Sequence, residues 1–128
     1  MHDILIALGS NVHSDNIKFV ESCLVQDFYE VQSTAIVATN PIGAEFQGKL
    51  FYNAVVSCHT NLDKDDVVDC LKHIEHIAGN TKQKRKEGIV VIDIDLLKFD
   101  NEILHEKDWQ RQYIKAVSYT HLTLPTNR

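Results

Sequence analysis

Two aspartates, Asp93 and Asp95, sit inside the otherwise apolar run of residues 88–100, GIVVIDIDLLKFD. Side chains two apart on a strand project from one face, so the two carboxylates would stand side by side. Like charges at that spacing repel, and burying either one without a partner is costly. A divalent cation between them would turn repulsion into attraction, and Mg²⁺ takes one or two carboxylates together with waters and substrate phosphates. The alternative is a solvent-facing strand surface on which both aspartates bond nearby lysines. The preceding stretch bears on the choice, because Lys82, Lys84, Arg85 and Lys86 put four cations within five residues. Cations beside metal-binding carboxylates suit a polyphosphate, whose charge both would share. A solvated loop is the plainer reading of any single lysine there.

A second group lies in LFYNAVV, residues 50–56. The amide of Asn53 can donate and accept together, which suits a heterocycle with an amide-like edge. Phe51 shares its face and could stack on a flat ring; an Asn satisfied by backbone beside an ordinary core Phe is the alternative. His73 and His76 lie three apart on a helical pattern, a spacing used by metal sites, but with no third ligand in view they read as surface residues. The chain has no Walker-type glycine loop and no arguable Ser-His-Asp arrangement.

The elements that must position these groups follow from periodicity. Asp3 to Ala7 reads as a short apolar strand running into a Gly9-Ser10-Asn11 turn. Ser14 is placed to cap a helix whose apolar face is Ile17, Val20 and Leu24, flanked by Phe19 and Cys23. Phe28 to Thr39 is rich in β-branched residues and reads as one long strand. Residues 40–48 hold Pro41, Gly43 and Gly48 and should form a loop, and Phe51 to Thr60 is a strand again. Asp63 can cap the next helix, with Val67, Leu71, Ile74 and Ala78 as its apolar stripe and Gly79 as its stop. A basic loop, TKQKRKEG, then leads into the strand carrying the Asp pair. The order β-α-β-β-α-β is that of a ferredoxin-like α+β sandwich, an antiparallel sheet with both helices on one face.

With 128 residues, 44% of them hydrophobic, the chain can bury the core of a single domain. A net charge of -5 argues against a general nucleic-acid binder but leaves room for an anionic small molecule held by a local cation cluster. No apolar run approaches the roughly 18 residues needed to span a membrane, and MHDILIALGSN lacks the features of a signal peptide. Cys23, Cys58 and Cys70 show no CxxC spacing, which suits reduced thiols in a cytoplasmic protein. After Lys115 the text AVSYTHLTLPTNR loses every acidic residue and all period. It is similar to translated cloning sequence, so the domain is expected over 1–116, with 117–128 a foreign tail and the native C-terminus missing.

Taken in order, these pieces resemble the 6-hydroxymethyl-7,8-dihydropterin pyrophosphokinases of folate biosynthesis. The matching text is IALGSN at 6–11, the spaced Thr39-x-Pro41-x-Gly43, FYNAVV at 51–56, Glu75 near the end of the second helix, and IDIDLLKFDNEIL at 92–104. No motif is specific alone, but their order and spacing over roughly residues 3 to 104 are hard to match by accident. The resemblance implies the same ferredoxin-like fold and a cytoplasmic monomer acting on two small molecules, ATP and the pterin. Two Mg²⁺ ions would be held by Asp93 and Asp95, the catalytic pair. The pterin hydroxymethyl oxygen would attack the β-phosphorus of ATP in line and release AMP. It further implies a pterin site of Thr39, Pro41, Ile42, Phe51 and Asn53, and an ATP site of Glu75, Lys82, Lys84 and Arg85.

The departures from the family pattern are specific. Arginines expected after the second helix and before the Asp pair are Asn80 and Val90 here, and a Trp-Gly becomes Glu87-Gly88. Lys82 falls where another basic residue is expected. A downstream Pro-His and Arg segment has no counterpart in HEKDWQRQYIKA, although Trp109 and Arg111 are present. Beside the pyrophosphokinase stand two other readings, a non-catalytic or altered-substrate homologue of the same fold and a ferredoxin-like binding module with a solvated Asp pair.

Overall fold

A computed structural model of the chain describes residues 1–39 and 50–105. Its elements are β1 (His2–Ser10), α1 (Ser14–Asp27), β2 (Tyr29–Ser33), β3 (Val37–Thr39), β4 (Phe51–Thr60), α2 (Lys64–Ile77), α3 (Lys82–Lys86), β5 (Asp93–Phe99) and β6 (Glu102–Ile103). The strands form one sheet in the order β2-β4-β1-β5-β6, with β3 also paired to β4. Each of these pairings is antiparallel. Ile4, Ile6 and Leu8 of β1, Ala54, Val56 and Cys58 of β4, and Ile94 and Leu96 of β5 share one core. Ile17, Val20 and Leu24 of α1 and Val67, Leu71 and Ile74 of α2 complete it. Both helices therefore cover one face of the sheet, as the ferredoxin-like pattern requires, and the odd-numbered residues of β1 line the other face. Among the described residues, no helix is long and apolar enough to cross a membrane.

Several boundaries differ from the sequence reading, each for a local reason. Gly9 and Ser10 extend β1 instead of forming a turn. The buried Ser10 hydroxyl accepts the Val12 and His13 amides at 3.2 and 3.4 Å. That closes the turn early, and the α1 cap falls on His13, whose Nδ1 accepts Asp15 N–H at 3.0 Å, rather than on Ser14. Phe19, expected beside the apolar face, is exposed.

The strand expected over Phe28 to Thr39 is broken in two. Ser33 pairs with Val56 and Val37 with Asn53, so four steps on one strand face three on its neighbour. The extra residue is a bulge. It forms where the Thr34 hydroxyl accepts Val55 N–H at 3.0 Å, taking a donor the ladder would otherwise use. The basic stretch after Gly79 is a short helix, not a loop. Thr81 caps it by accepting Lys84 N–H at 3.1 Å, and its Lys, Gln and Arg residues are good helix formers. Asp63 does cap α2, accepting Asp66 N–H at 2.9 Å, and Gly79 follows the helix end with φ +96.

Candidate active site

The face opposite the helices is built in rows. Val37, Asn53, Gly9 and Asp93 lie directly across from one another on β3, β4, β1 and β5, and Val55, Ala7 and Asp95 form the next row. Directly opposed residues share a face, so the sequence-predicted Asp pair and Asn53 stand on one surface with only Gly9 between them. Asp93 and Asp95 are half-buried at the start of β5 and adjacent on that face.

Gly9 is required by what crosses it. A Cβ there would come within 2.8 Å of Phe51 Cε1 and 3.8 Å of Asn53 Oδ1, so the Phe51 ring packs over the glycine backbone. Asn53 is buried, and its Nδ2 lies 3.3 Å from Val37 O, 2.9 Å from Thr39 Oγ1 and 3.1 Å from Phe51 O. The Thr39 hydroxyl donates to Phe51 O at 3.3 Å, which leaves its oxygen lone pairs for Asn53. Three acceptors around one NH₂ fix the amide's orientation. With Nδ2 so committed, Oδ1 is directed toward Gly9, where an added Cβ would lie 3.8 Å from it. Thr39, Phe51 and Asn53 are thus brought together; Pro41 and Ile42 lie outside the described residues, as do Trp109, Arg111 and the segment 117–128.

On the other side of Gly9, Arg85 of α3 donates from Nη2 to Asp93 Oδ1 at 3.0 Å, with side-chain exposures of 43% and 37%. An ion pair this open contributes about 0–1 kcal/mol, so it breaks easily. Glu75, at the end of α2, accepts Ile94 N–H on Oε2 at 2.7 Å. That amide faces the outer edge of β5, which pairs with β6 only through Lys98 and Phe99. Burial pushes the Glu75 carboxyl above its ordinary pKa and Asp93 adds to the rise, while the Ile94 bond, Lys72 and Arg85 pull it back in part. Lys84 is committed elsewhere, its ammonium donating to Gly79 O at 3.0 Å. Lys82 is exposed at the start of α3. His73 and His76 are exposed as well. Burial drives the Cys58 thiol up to about 12, and Cys23 and Cys70 are raised for the same first cause, which leaves all three as poor nucleophiles.

The residues that sequence reasoning missed are those holding the approach to Asp93. Asn11 Nδ2 donates to Gly88 O at 2.7 Å, and its Oδ1 accepts Val90 N–H at 2.8 Å. Its own amide donates to Val90 O at 3.0 Å. Ser10 Oγ donates to Val90 O at 3.4 Å and Asn16 Nδ2 to Val91 O at 3.1 Å. Residues 88–92, expected as part of the strand, are instead a segment clamped by side chains, and β5 begins at Asp93. A polar pair following an apolar strand was the available signal.

Whether Mg²⁺ fits is answered by the pair itself. Two adjacent, half-buried carboxylates have already drawn a cation, Arg85, to Asp93 Oδ1. Both donors are hard oxygens of the kind Mg²⁺ prefers, with the remaining positions left to water and phosphate. Among the described residues no group of three or more His, Cys, Asp or Glu is gathered for a metal. The fit is thus to an ion shared with a ligand, not to a closed protein cage.

Fold and site together define an α+β domain with an acidic pair that pairs with a cation, one strand away from Phe51 and Asn53 on the same sheet face. A model of the family described as 7,8-dihydro-6-hydroxymethylpterin-pyrophosphokinase (HPPK) matches residues 5–124, nearly the whole chain. The chain belongs to this family. It is 30% identical over 110 residues to the 2-amino-4-hydroxy-6-hydroxymethyldihydropteridine pyrophosphokinase of Aquifex aeolicus (strain VF5), covering 84% of this chain and 67% of that protein. It is 27% identical over 125 residues to the folate synthesis bifunctional protein of Arabidopsis thaliana, covering 89% of this chain and 26% of that protein. The chain thus spans about a quarter of the length of the plant relative.

Proposed function

We propose that this chain transfers pyrophosphate from ATP to the hydroxymethyl group of 6-hydroxymethyl-7,8-dihydropterin, as a Mg²⁺-dependent cytoplasmic monomer of folate biosynthesis. The observation that carries the reading is the row Asn53–Gly9–Asp93, which sets a heterocycle platform and a metal-seeking pair on one face, one strand apart. Asn53 Oδ1 accepts from an N–H on the pterin edge, while Phe51 stacks on the ring. Thr39 fixes the amide orientation, and the family resemblance adds Pro41 and Ile42 to the pterin-binding residues. Asp93 and Asp95 would hold Mg²⁺, two ions by the family resemblance, which would supply charge neutralisation of the phosphoryl oxygens. Lys82, exposed at the start of α3, meets phosphate on the same side.

The chemistry asked of the protein is positioning and electrostatics. An oxygen–phosphorus bond forms between the hydroxymethyl oxygen and the β-phosphorus, and the hydroxyl O–H bond breaks with its proton passing to solvent. The bond from that phosphorus to the α–β bridging oxygen breaks, and AMP leaves with that oxygen. Ser10, Asn11 and Asn16 hold residues 88–91 and so set where Asp93 begins its strand. Glu75 anchors the outer edge of β5 through Ile94 and places a third carboxyl near Asp93.

Incubation with ATP, the hydroxymethyl dihydropterin and Mg²⁺ should yield AMP, and Asp95→Ala should abolish it. The positions of Asn80 and Val90, where the family carries arginines, favour a second reading, a homologue that binds both ligands without efficient transfer. Retained Mg-nucleotide binding with no AMP formed selects that reading. If neither ATP nor pterin at saturating concentration raises the melting temperature, both readings fail.

A further inference from the structure

We propose that Arg85 is a displaceable occupant of the metal site which, once released, becomes a phosphate ligand for the incoming nucleotide. This rests on the reading of the face as a Mg-nucleotide site. The backbone of Arg85 is held firmly. Its amide donates to Thr81 O at 3.2 Å, its carbonyl accepts Gly88 N–H at 3.0 Å, and Ile89 N–H bonds Lys84 O at 2.8 Å. Lys84 Nζ pins the same short helix to Gly79 O at 3.0 Å. Only the side chain is free to swing, and its guanidinium contacts Asp93 Oδ1 at 3.0 Å.

That oxygen cannot serve a guanidinium and a metal ion together at full strength. A divalent cation seated on the aspartates repels Arg85 and takes the lone pair it uses, and the pair is exposed enough to yield. The released guanidinium stays tethered within a side chain's length of the ion, where the phosphates of a metal-bound nucleotide must lie. Its planar fork matches two phosphoryl oxygens, a geometry a lysine ammonium does not supply. In the absence of ligand it also lowers the repulsion between Asp93 and its carboxylate neighbours, which keeps the face in register until metal arrives.

The two halves of the proposal have opposite signs. Arg85→Gln removes a competitor for the metal and a ligand for the phosphate. Binding of Mn²⁺ alone, followed by its paramagnetic resonance, should tighten by up to about fivefold, the range expected from losing one exposed ion pair. Binding of α,β-methylene-ATP with Mg²⁺, followed by calorimetry, should weaken by roughly tenfold or more, as for a lost charge-assisted hydrogen bond; the analogue's bridging carbon blocks transfer. Lys82→Gln should weaken the analogue and leave Mn²⁺ affinity as it was, which separates a general loss of positive charge from the exchange at Asp93. Unchanged analogue affinity in Arg85→Gln overturns the proposal, as does weaker Mn²⁺ binding. Failure of the wild-type protein to bind either probe overturns the nucleotide-site reading itself.

Discussion

Asn11 offers the sharpest test of how the fold places Asp93. It is 6% exposed, and its side chain closes two bonds, from Nδ2 to Gly88 O at 2.7 Å and from Val90 N–H to Oδ1 at 2.8 Å. Asn11→Ala keeps the backbone bond to Val90 O but orphans the Val90 amide and the Gly88 carbonyl. An unpaired buried group costs about 1–3 kcal/mol. Val90 is 8% exposed, so its amide should carry close to the full cost, while the half-buried Gly88 carbonyl can recruit water and sits near the lower limit. The sum is about 2–4 kcal/mol, or on the order of 10 °C in melting temperature for a domain of this size. Urea unfolding measures the first figure directly. Mn²⁺ binding in the same variant should weaken as well, since Val90 is three residues before Asp93 on the same short path. A loss below about 0.5 kcal/mol, the range of an ordinary surface change, would refute the clamp. So would a full loss of stability with metal affinity untouched, because the clamp would then stabilise the fold without setting the site.

Gly9→Ala puts a Cβ 2.8 Å from Phe51 Cε1. The ring can shift, so stability should fall by only about 1 kcal/mol, while calorimetric affinity for a pterin analogue should drop severalfold; unchanged affinity would remove Phe51 from the site. Glu75 supplies a pH test. Its folded-state pKa is raised above the ordinary 4.5, mainly by burial, so the folded chain keeps a proton that the unfolded chain has released. Its contribution to stability therefore falls as pH rises from 4.5 through the raised value. Glu75→Gln keeps an oxygen for Ile94 N–H and removes the titration. Denaturation between about pH 4 and 7 should show the variant gaining on wild type as pH rises, and a flat difference would rule out a strained carboxyl there.

Much of this architecture is local and so was readable in the chain. The helical stripes Ile17–Val20–Leu24 and Val67–Leu71–Ile74, the Asp63 cap and the Gly79 stop each depend on residues within a turn or two of one another. The two-residue spacing of Asp93 and Asp95 gave their shared face, and alternation on β4 gave that of Phe51 and Asn53. What failed was either competition between local options or contact over long range. Thr34 broke a strand by using its hydroxyl in the ladder, and a polar stretch that reads as loop folded as helix once Thr81 capped it. Asn11 meets partners 77 and 79 residues away. No periodicity reports such a contact, so Ser10 and Asn11 read as a turn.

The Asp pair therefore has to be understood through its neighbours on both sides. A strand end bearing two carboxylates on one face is disfavoured by repulsion, and among the described residues Asn11, Glu75 and Arg85 help hold it in place. Asn11 fixes the chain before it, Glu75 accepts the Ile94 amide, and Arg85 shields Asp93. The last of these is the exposed and weak one, and it bonds an Asp93 oxygen that a metal ion would need. The first two keep the geometry whether or not a ligand is present. The arrangement separates the permanent cost of assembling the pair, met inside the fold, from a reversible cost met by a side chain that can leave. That division predicts a site whose aspartates barely move on metal binding while Arg85 moves fully. Comparing the chemical shifts of the Asp93 and Asp95 backbone amides with those of the Arg85 guanidinium, with a diamagnetic metal added, would test it; large backbone shifts at both aspartates with a static guanidinium would contradict it.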